Sequence, residues 1–251
     1  MGTEFRDDQY QISYPDGVEN HWWHLARNRL LEQKIKQLSK QDASVLDVGC
    51  GRGITVKYLR SKGIDCIGVE PGEAKPLKII ERYLWVGKKA EELSEIERNR
   101  YSLLLLLDVV EHIANPELFL KDLVVLFPNL THVIITVPAC PELWSNYDEF
   151  YGHHRRYTIT MVERLCQQLD WHLVWSFYFF QLLYLPARII IKTSQKRAVD
   201  MKAPQGIGKW IHLLLSYAVT VGNYSRFLGF SGTSIIACFS LSTIINSKKL
   251  G

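Results

Sequence analysis

The chain has 251 residues, enough for one substantial α/β domain with insertions. Its net charge of +4 is too small to indicate a nucleic-acid partner. The five cysteines include neither a C-x-x-C pair nor a Cys/His metal spacing, which argues against a disulfide scaffold and a bound metal and favours a cytoplasmic protein. The polar N-terminus does not read as a signal peptide, and residues 1–5 have the composition of a cloning remnant.

The predicted elements begin with a helix over residues 20–38, whose apolar residues form an imperfect stripe. Strands are expected at residues 44–48, 65–70, 83–86, 101–108, 132–137 and 171–177. Helices are expected between them at residues 54–62, 75–82, 115–127 and 159–169. This alternation predicts a mostly parallel sheet with helices on both faces.

The most informative segment is the end of the strand predicted at residues 44–48 and the turn that follows it. Asp47 lies in that strand, and Gly49, Gly51 and Gly53 lie in the turn. Glycines adopt backbone conformations that a Cβ forbids, and they let a ligand lie against the chain. Dinucleotide sites usually carry the spacing G-x-G-x-x-G, but Ile54 stands at its last position here. A nearby carboxylate also suits a cationic ligand better than a pyrophosphate. The turn therefore favours S-adenosylmethionine (SAM), which carries an ammonium and a sulfonium group.

The C-terminal part departs from the strand–helix alternation. Residues 177–191 are strongly apolar, but Pro186 and Arg188 interrupt them and the run is short for a membrane span. A basic segment follows, from Lys192 to Lys209. We predict a last strand at residues 233–241, antiparallel to residues 171–177. Residues 178–231 then form an apolar and basic helical insertion before that strand.

With these elements in place, the chain resembles class I SAM-dependent methyltransferases, in particular a bacterial methyltransferase-domain group associated with lipid and polysaccharide pathways. The matching motifs are V-L-D-V-G-C-G-R-G at 45–53, I-G-V-E-P at 67–71, L-D-V-V-E-H-I at 107–113, V-P-A-C-P-E-L-W-S-N-Y-D-E at 137–149, G-H-H-R-R-Y-T at 152–158 and H-W-W-H-L-A-R at 21–27. The resemblance implies one domain over residues 1–251, with residues 15–40 as a helical lid. It also implies a Rossmann-like, seven-stranded sheet whose last strand is antiparallel.

The same resemblance places SAM over the carboxyl ends of the first strands. Glu70 is expected at the ribose, and Asp108 is expected to face the cofactor cleft. The residues expected around the methionine end of SAM are Asp47, Gly49, Cys50, Gly51 and Gly53. The structural alternatives are an ordinary tight turn for Asp47 and the glycines, a solvated carboxylate for Glu70 and a helix cap for Asp108. Trp22, Trp23 and Arg27 either cover SAM or simply pack their helix.

The loop from Trp144 to Tyr157 is the expected acceptor wall, because it concentrates aromatic, acidic and basic side chains after the fifth strand. Asp148, His153 and His154 are the candidate bases for removing a proton from an acceptor hydroxyl. Arg155 and Arg156 have the fork geometry that binds phosphate or carboxylate. Trp144 and Tyr157 complete the substrate-binding set. The structural alternative is a lock in which arginine and histidine pair with acidic residues to order the loop.

These observations predict a SAM-dependent methyltransferase that leaves S-adenosylhomocysteine as product. The acceptor is a hydroxyl or similar nucleophile of a small molecule, a lipid or a lipid-linked sugar. Residues 177–210 are expected to contact the inner face of a membrane, with a homodimer face and ordinary core as alternatives. A non-catalytic scaffold with this fold is the main rival function, and a nicotinamide-dependent oxidoreductase is a distant third.

Overall fold

In the computed structural model, the protein is built on one central β-sheet. The structure describes residues 7–38, 43–193, 196–222 and 231–241, so the proposed cloning remnant lies outside the described residues. The strands are β1 (Val45–Val48), β2 (Cys66–Glu70), β3 (Leu84–Val86), β4 (Leu103–Leu107), β5 (His132–Pro138), β6 (His172–Phe179) and β7 (Ser234–Ser240). They form one seven-stranded sheet in the order β3-β2-β1-β4-β5-β7-β6.

Strand direction agrees with the prediction from the sequence. The pairs β1–β2, β1–β4, β2–β3 and β4–β5 are all parallel. The last strand, β7, runs antiparallel to both β5 and β6, with Ile134 opposite Cys238 and Phe177 opposite Ile236. The predicted α/β fold class, with its antiparallel last strand, is therefore confirmed.

The five leucines of β4 explain why the sheet is buried on both faces. Leu104 and Leu106 pack into the hydrophobic cluster on one face, whereas Leu103, Leu105 and Leu107 pack into the cluster on the other. All five side chains are buried. A continuous apolar run is what a parallel strand needs when helices cover both of its faces.

The helices that cover these faces follow the predicted pattern with local differences. They are α1 (Asp7–Ser13), α2 (Trp22–Leu38), α3 (Ile54–Ser61), α4 (Glu95–Arg98), α5 (Pro116–Val125), α6 (Asn146–Phe150), α7 (Ile159–Gln168), α8 (Tyr184–Lys192) and α9 (Gly208–Gly222). The sequence did not predict α1, α4 or α6. The helix predicted at residues 75–82 is instead the 3-10 helix Lys78–Tyr83. Pro76 disfavours the helical conformation in the residue before it, which delays the start.

The predicted insertion lies between β6 and β7 and contains α8 and α9, apart from residues 194–195 and 223–230, which lie outside the described residues. Its basic segment turns back over the acceptor loop, where the Tyr151 hydroxyl donates to the Val199 carbonyl at 2.7 Å. The Met201 amide donates to the Ile12 carbonyl of α1 at 3.3 Å. Among the described helices, none is both long and apolar enough to cross a membrane.

Candidate cofactor and acceptor site

Three acidic side chains stand where neighbouring parallel strands end. Asp47 lies in β1 opposite Gly68, Glu70 ends β2, and Asp108 directly follows β4. Because β1 pairs in parallel with both β2 and β4, these carboxyl groups lie at one edge of the sheet. The carboxyl ends of such strands are the usual ligand-binding edge of an open α/β sheet.

The glycine turn after β1 has a backbone that other residues rarely adopt. Gly49, Gly51 and Gly53 have φ angles of 77°, 53° and 81°, which are in the left-handed region. A Cβ at Gly51 would lie 2.9 Å from the ring of Tyr14. The turn thus leads into α3, and its backbone is packed so closely by neighbouring side chains that a Cβ would not fit. The thiol of Cys50 is buried and packs against Gly68 of β2.

Asp47 is the least satisfied of the three carboxyl groups. Its side chain is 2% exposed, and its Oδ1 has no hydrogen-bond partner among the described residues. Burial raises the pKa of Asp47 to about 7, an effect that nearby Arg27 opposes and that Glu70 and Asp108 reinforce. A buried carboxyl group without a partner is costly unless a ligand supplies a donor or a positive charge. This is the property expected of a residue that holds an ammonium group.

Glu70 is fully engaged by neighbouring donors. The Gly51 amide donates to its Oε2 at 2.7 Å. Its Oε1 accepts the Gly72 amide at 2.9 Å and the Tyr10 hydroxyl at 2.8 Å. Burial and the Glu70 charge both raise the pKa of the Tyr10 hydroxyl, so it remains a proton donor. A ribose hydroxyl would therefore take the place of Tyr10 on Oε1 or share that oxygen with it.

Arg27 belongs to α2, the helix before β1, and its side chain contacts the same edge of the sheet. Its guanidinium group forms an ion pair with Asp108 and donates to Thr55 Oγ1 at 3.2 Å. It also stacks over the Trp23 ring at 4.5 Å from the centroid. Asp108 itself has a φ of 57°, which is uncommon for a residue with a side chain. Of the expected lid residues, Arg27 reaches the site, while Trp22 and Trp23 pack near Phe180.

The acceptor loop is organised around Asp148, which is completely buried. Its carboxylate accepts from Arg156 Nε at 2.8 Å, from the Ser145 amide at 2.9 Å and lies 2.9 Å from His153 Nδ1. These hydrogen bonds and the Arg156 charge hold the pKa of Asp148 below its usual value despite its burial. The contacts are those of the structural lock, with Asp148 as the residue that orders its neighbours.

The same contacts orient His153 and bring it to two residues that follow β4. Glu111 and His112 lie in the 3-10 helix Val110–His112. The rings of His112 and His153 meet edge to face with centroids 4.8 Å apart. Burial and the proximity of His153 lower the pKa of His112 to about 3, so this imidazole is neutral. Burial and Asp108 raise the pKa of Glu111 well above its usual value.

The remaining predicted substrate residues divide between a surface cavity and the core. A cavity of about 440 Å³ is lined by Pro141, Trp144, His154, Arg155, Arg156 and Met161. His154 is exposed at this cavity, and Arg155 donates to the Ala114 carbonyl at 2.6 Å. Tyr157 is buried, and its hydroxyl donates to the Val110 carbonyl at 3.4 Å.

The sequence pattern does not indicate that Tyr10, Tyr14 and Arg197 contact the site. Tyr10 and Tyr14 cover the glycine turn, but α1 is only seven residues long and has no clear apolar period. Arg197 belongs to the basic segment that the sequence predicts to contact a membrane, yet its guanidinium group lies over the Tyr147 ring at 4.8 Å from the centroid. That contact joins the insertion to the acceptor loop. It also removes Arg197 from the basic surface expected on the insertion.

Comparison with known sequences places these motifs in a family. A family described as methyltransferase domain matches residues 22–175. A ubiquinone biosynthesis O-methyltransferase of Bradyrhizobium diazoefficiens is 32% identical over 116 residues, covering 43% of this chain and 46% of that protein. One with the same name from Photobacterium profundum is 25% identical over 134 residues, covering 46% and 57%. The chain thus spans about half the length of the curated relatives it matches.

Solved structures provide a separate comparison of the fold. The 1,6-didemethyltoxoflavin-N1-methyltransferase of Burkholderia thailandensis, solved with its substrate and S-adenosylhomocysteine, superposes with a TM-score of 0.54. The alignment covers 87% of this chain and 80% of that one at 14% identity. At such low identity the similarity concerns the fold alone, and it agrees with the sheet described above.

The raised pKa of Asp47 predicts that Asp47→Asn stabilises the ligand-free protein at alkaline pH. Between pH 4 and 7 the unfolded state ionises while the folded state keeps its proton, so wild-type stability falls over that window. Removing the charge should raise the melting temperature at pH 8 by a few degrees and leave it unchanged near pH 4. Thermal unfolding followed by circular dichroism measures both. Asp122→Asn, at an exposed position of α5, is the matched control. A mutant that melts at or below the wild-type temperature at pH 8 contradicts the assignment.

Proposed function

This chain belongs to the methyltransferase-domain family, and we propose that it is a SAM-dependent methyltransferase acting on a hydroxyl group of an amphipathic acceptor. The observation that carries the proposal is the buried carboxyl group of Asp47, whose Oδ1 has no partner among the described residues, beside a glycine turn with three positive φ angles. An ammonium group is the ligand chemistry that satisfies such a carboxylate. SAM has that group and also supplies an electrophilic methyl group on sulfur.

We assign the residues at this edge of the sheet to the methionine and ribose parts of SAM. Asp47 and the turn at Gly49 and Gly51 would hold the methionine end, and Glu70 would accept from the ribose. Arg27 holds Asp108 in place through their ion pair. The main task of the protein is then to align the acceptor with the methyl group, because the sulfonium is already reactive.

The acceptor loop supplies the recognition chemistry. His153 is the most suitable of the three candidate catalytic residues, since Asp148 fixes its ring and leaves the second ring nitrogen available for the reaction. Asp148 acts as its positioning residue. Trp144 and Arg155 would contact the acceptor in the cavity that they help to line. Two curated relatives are named as O-methyltransferases of ubiquinone biosynthesis, which supports a hydroxyl acceptor with an apolar tail.

An unusual distribution of polarity on α9 supports contact with a lipid surface. Its buried residues include Ser216 and Thr220, whose hydroxyls accept from Arg29 at 3.2 Å. Its exposed positions after Lys209 are instead mostly apolar, with Trp210 65% and Leu214 69% accessible to solvent. A surface helix normally shows the opposite arrangement.

Neighbouring elements extend this apolar surface. Leu185 and Ile189 of α8 are also exposed. The side chain of Leu182, in the 3-10 helix just before α8, lies against Gly222 at the end of α9. Exposed lysines follow along the insertion at Lys192, Lys196, Lys202 and Lys209. An apolar surface flanked by basic residues suits the interface of an anionic membrane, and we propose that the protein associates with the inner face of the membrane there.

We expect label from methyl-labelled SAM to enter the organic phase of a cell extract incubated with the wild-type protein. The Asp47→Ala variant, which lacks the proposed ammonium ligand, should transfer at least about tenfold less. Scintillation counting of the organic and aqueous phases measures the transfer. Label confined to the aqueous phase contradicts the amphipathic acceptor. Equal transfer by both proteins contradicts the role of Asp47, and an extract with no labelled product in either phase supports the scaffold instead.

We also expect the protein to float with vesicles of phosphatidylcholine and phosphatidylglycerol in a density gradient, and to be released by salt. The double variant Trp210→Ser/Leu214→Ser should lose most of this binding. Ile96→Ser/Val125→Ser is the matched control, because Ile96 and Val125 are 81% and 73% exposed but belong to α4 and α5. Equal flotation of both double variants contradicts the surface. A wild-type dimer that the first variant makes monomeric, without flotation, assigns the surface to a homodimer.

A further inference from the structure

A cluster of metal-ligating side chains lies between β4 and the acceptor loop. One ligand atom from each of Glu111, His112 and His153 lies within 4.8 Å of the others. Glu111 and His112 follow β4 directly, whereas His153 comes from the loop after α6. We propose that these three side chains hold a divalent metal ion, with zinc as the preferred chemistry. The proposal rests on the proposed methyltransferase function and specifies how the acceptor hydroxyl is activated.

Glu111 provides the independent sign of a ligand. Its side chain is 1% exposed, and its Oε2 has no hydrogen-bond partner among the described residues. A carboxylate buried in this way is usually paired with a cation or coordinated to a metal. Arg156, which belongs to the acceptor loop, donates instead to Asp148 and to the Ala139 carbonyl. A metal ion would therefore supply the positive charge that Glu111 lacks.

The two histidines are oriented as metal ligands usually are. His153 places Nδ1 2.9 Å from Asp148 Oδ1, which leaves Nε2 for a ligand. His112 is hydrogen-bonded to the backbone of Tyr151. Metal-binding histidines commonly donate their second ring N–H to a carboxylate or a backbone carbonyl, which fixes the ring and strengthens the ligand. Asp148 and Tyr151 occupy those outer positions here.

The spacing and the ligand types narrow the choice of metal. In a tetrahedral zinc site, two ligand atoms that each lie about 2.1 Å from the ion are about 3.4 Å apart. The three ligand atoms lie within 4.8 Å of one another, so side-chain rotations that bring them together by up to about 1.4 Å would close the site. Two imidazoles and one carboxylate form the ligand set of catalytic zinc sites, which leave a fourth position open. Magnesium prefers oxygen ligands and suits this set poorly.

The open position gives the metal a role in methyl transfer. An acceptor hydroxyl bound there would have a lower pKa, so its O–H bond breaks and the proton leaves to water. The oxygen then forms the new bond to the methyl carbon while the S–C bond of SAM breaks. The electron pair of that bond remains on sulfur. The products are a methyl ether, S-adenosylhomocysteine and one proton, and His153 acts as a metal ligand rather than as the base.

The test is titration of the untagged, chelator-treated chain with Co²⁺ as a spectroscopic probe for the zinc site. We expect visible absorption bands that saturate at one Co²⁺ per chain and disappear when Zn²⁺ is added. Glu111→Gln and His153→Asn should weaken Co²⁺ binding by at least about tenfold, and Asp148→Asn by roughly 10- to 100-fold. His172→Asn, at an exposed position of β6, is the matched control and should bind like the wild type.

Two outcomes overturn the metal site. One is the absence of saturable Co²⁺ binding by the wild-type chain, and the other is equal binding by Glu111→Gln and the wild type. Melting curves of each variant show whether a loss of binding reflects unfolding. Calorimetric titration of the same samples with S-adenosylhomocysteine separates this inference from the proposed function. If the chain binds S-adenosylhomocysteine but not Co²⁺, the metal site is wrong and the methyltransferase proposal stands. If it binds Co²⁺ but not S-adenosylhomocysteine, the methyltransferase proposal is wrong.

Discussion

The parallel pairing of β1 with β2 and β4 forces three acidic side chains to one edge of a sheet whose faces are both buried. Asp47, Glu70 and Asp108 must then be satisfied where water has little access. Glu70 is satisfied by two backbone amides and Tyr10, and Asp108 by Arg27. Asp47 Oδ1 has no such partner in the described part of the chain. The edge therefore retains one buried carboxyl group with an unsatisfied oxygen, which a donor of a cationic ligand would satisfy.

A second buried carboxylate organises the acceptor side by the opposite means. Asp148 is compensated within the protein by Arg156, by the Ser145 amide and by His153. Removing one partner of a buried ion pair typically costs about 3–5 kcal/mol, so this arrangement holds the loop in one conformation. That rigidity fixes His153 beside Glu111 and His112, next to the strand that also leads to Asp108. Cofactor and acceptor residues are thus positioned by the same end of β4.

The parts of the structure that the sequence predicted have strong local signals. The leucine run of β4 predicts a strand buried on both faces, and the glycine turn after Asp47 predicts the strand–turn–helix that β1 and α3 form. The site contacts that it did not predict join residues far apart in the chain. Arg27 meets Asp108 across 81 positions, and Tyr10 meets Glu70 across 60. The periodicity of apolar residues indicates local structure and does not predict contacts between residues so far apart in the chain. The grouping of His153 with Glu111 likewise depends on how the acceptor loop folds back onto β4.

The central claim is that the β1–β2 edge binds SAM through the carboxyl group of Asp47. Calorimetric titration with S-adenosylhomocysteine, compared between wild type and Asp47→Asn at pH 8, tests it most directly. We predict saturable binding at one site in the wild type and at least about tenfold weaker binding in Asp47→Asn, because the asparagine cannot neutralise the ligand's ammonium group. Binding of NAD⁺ in place of S-adenosylhomocysteine, or equal S-adenosylhomocysteine binding by both proteins, would contradict the claim.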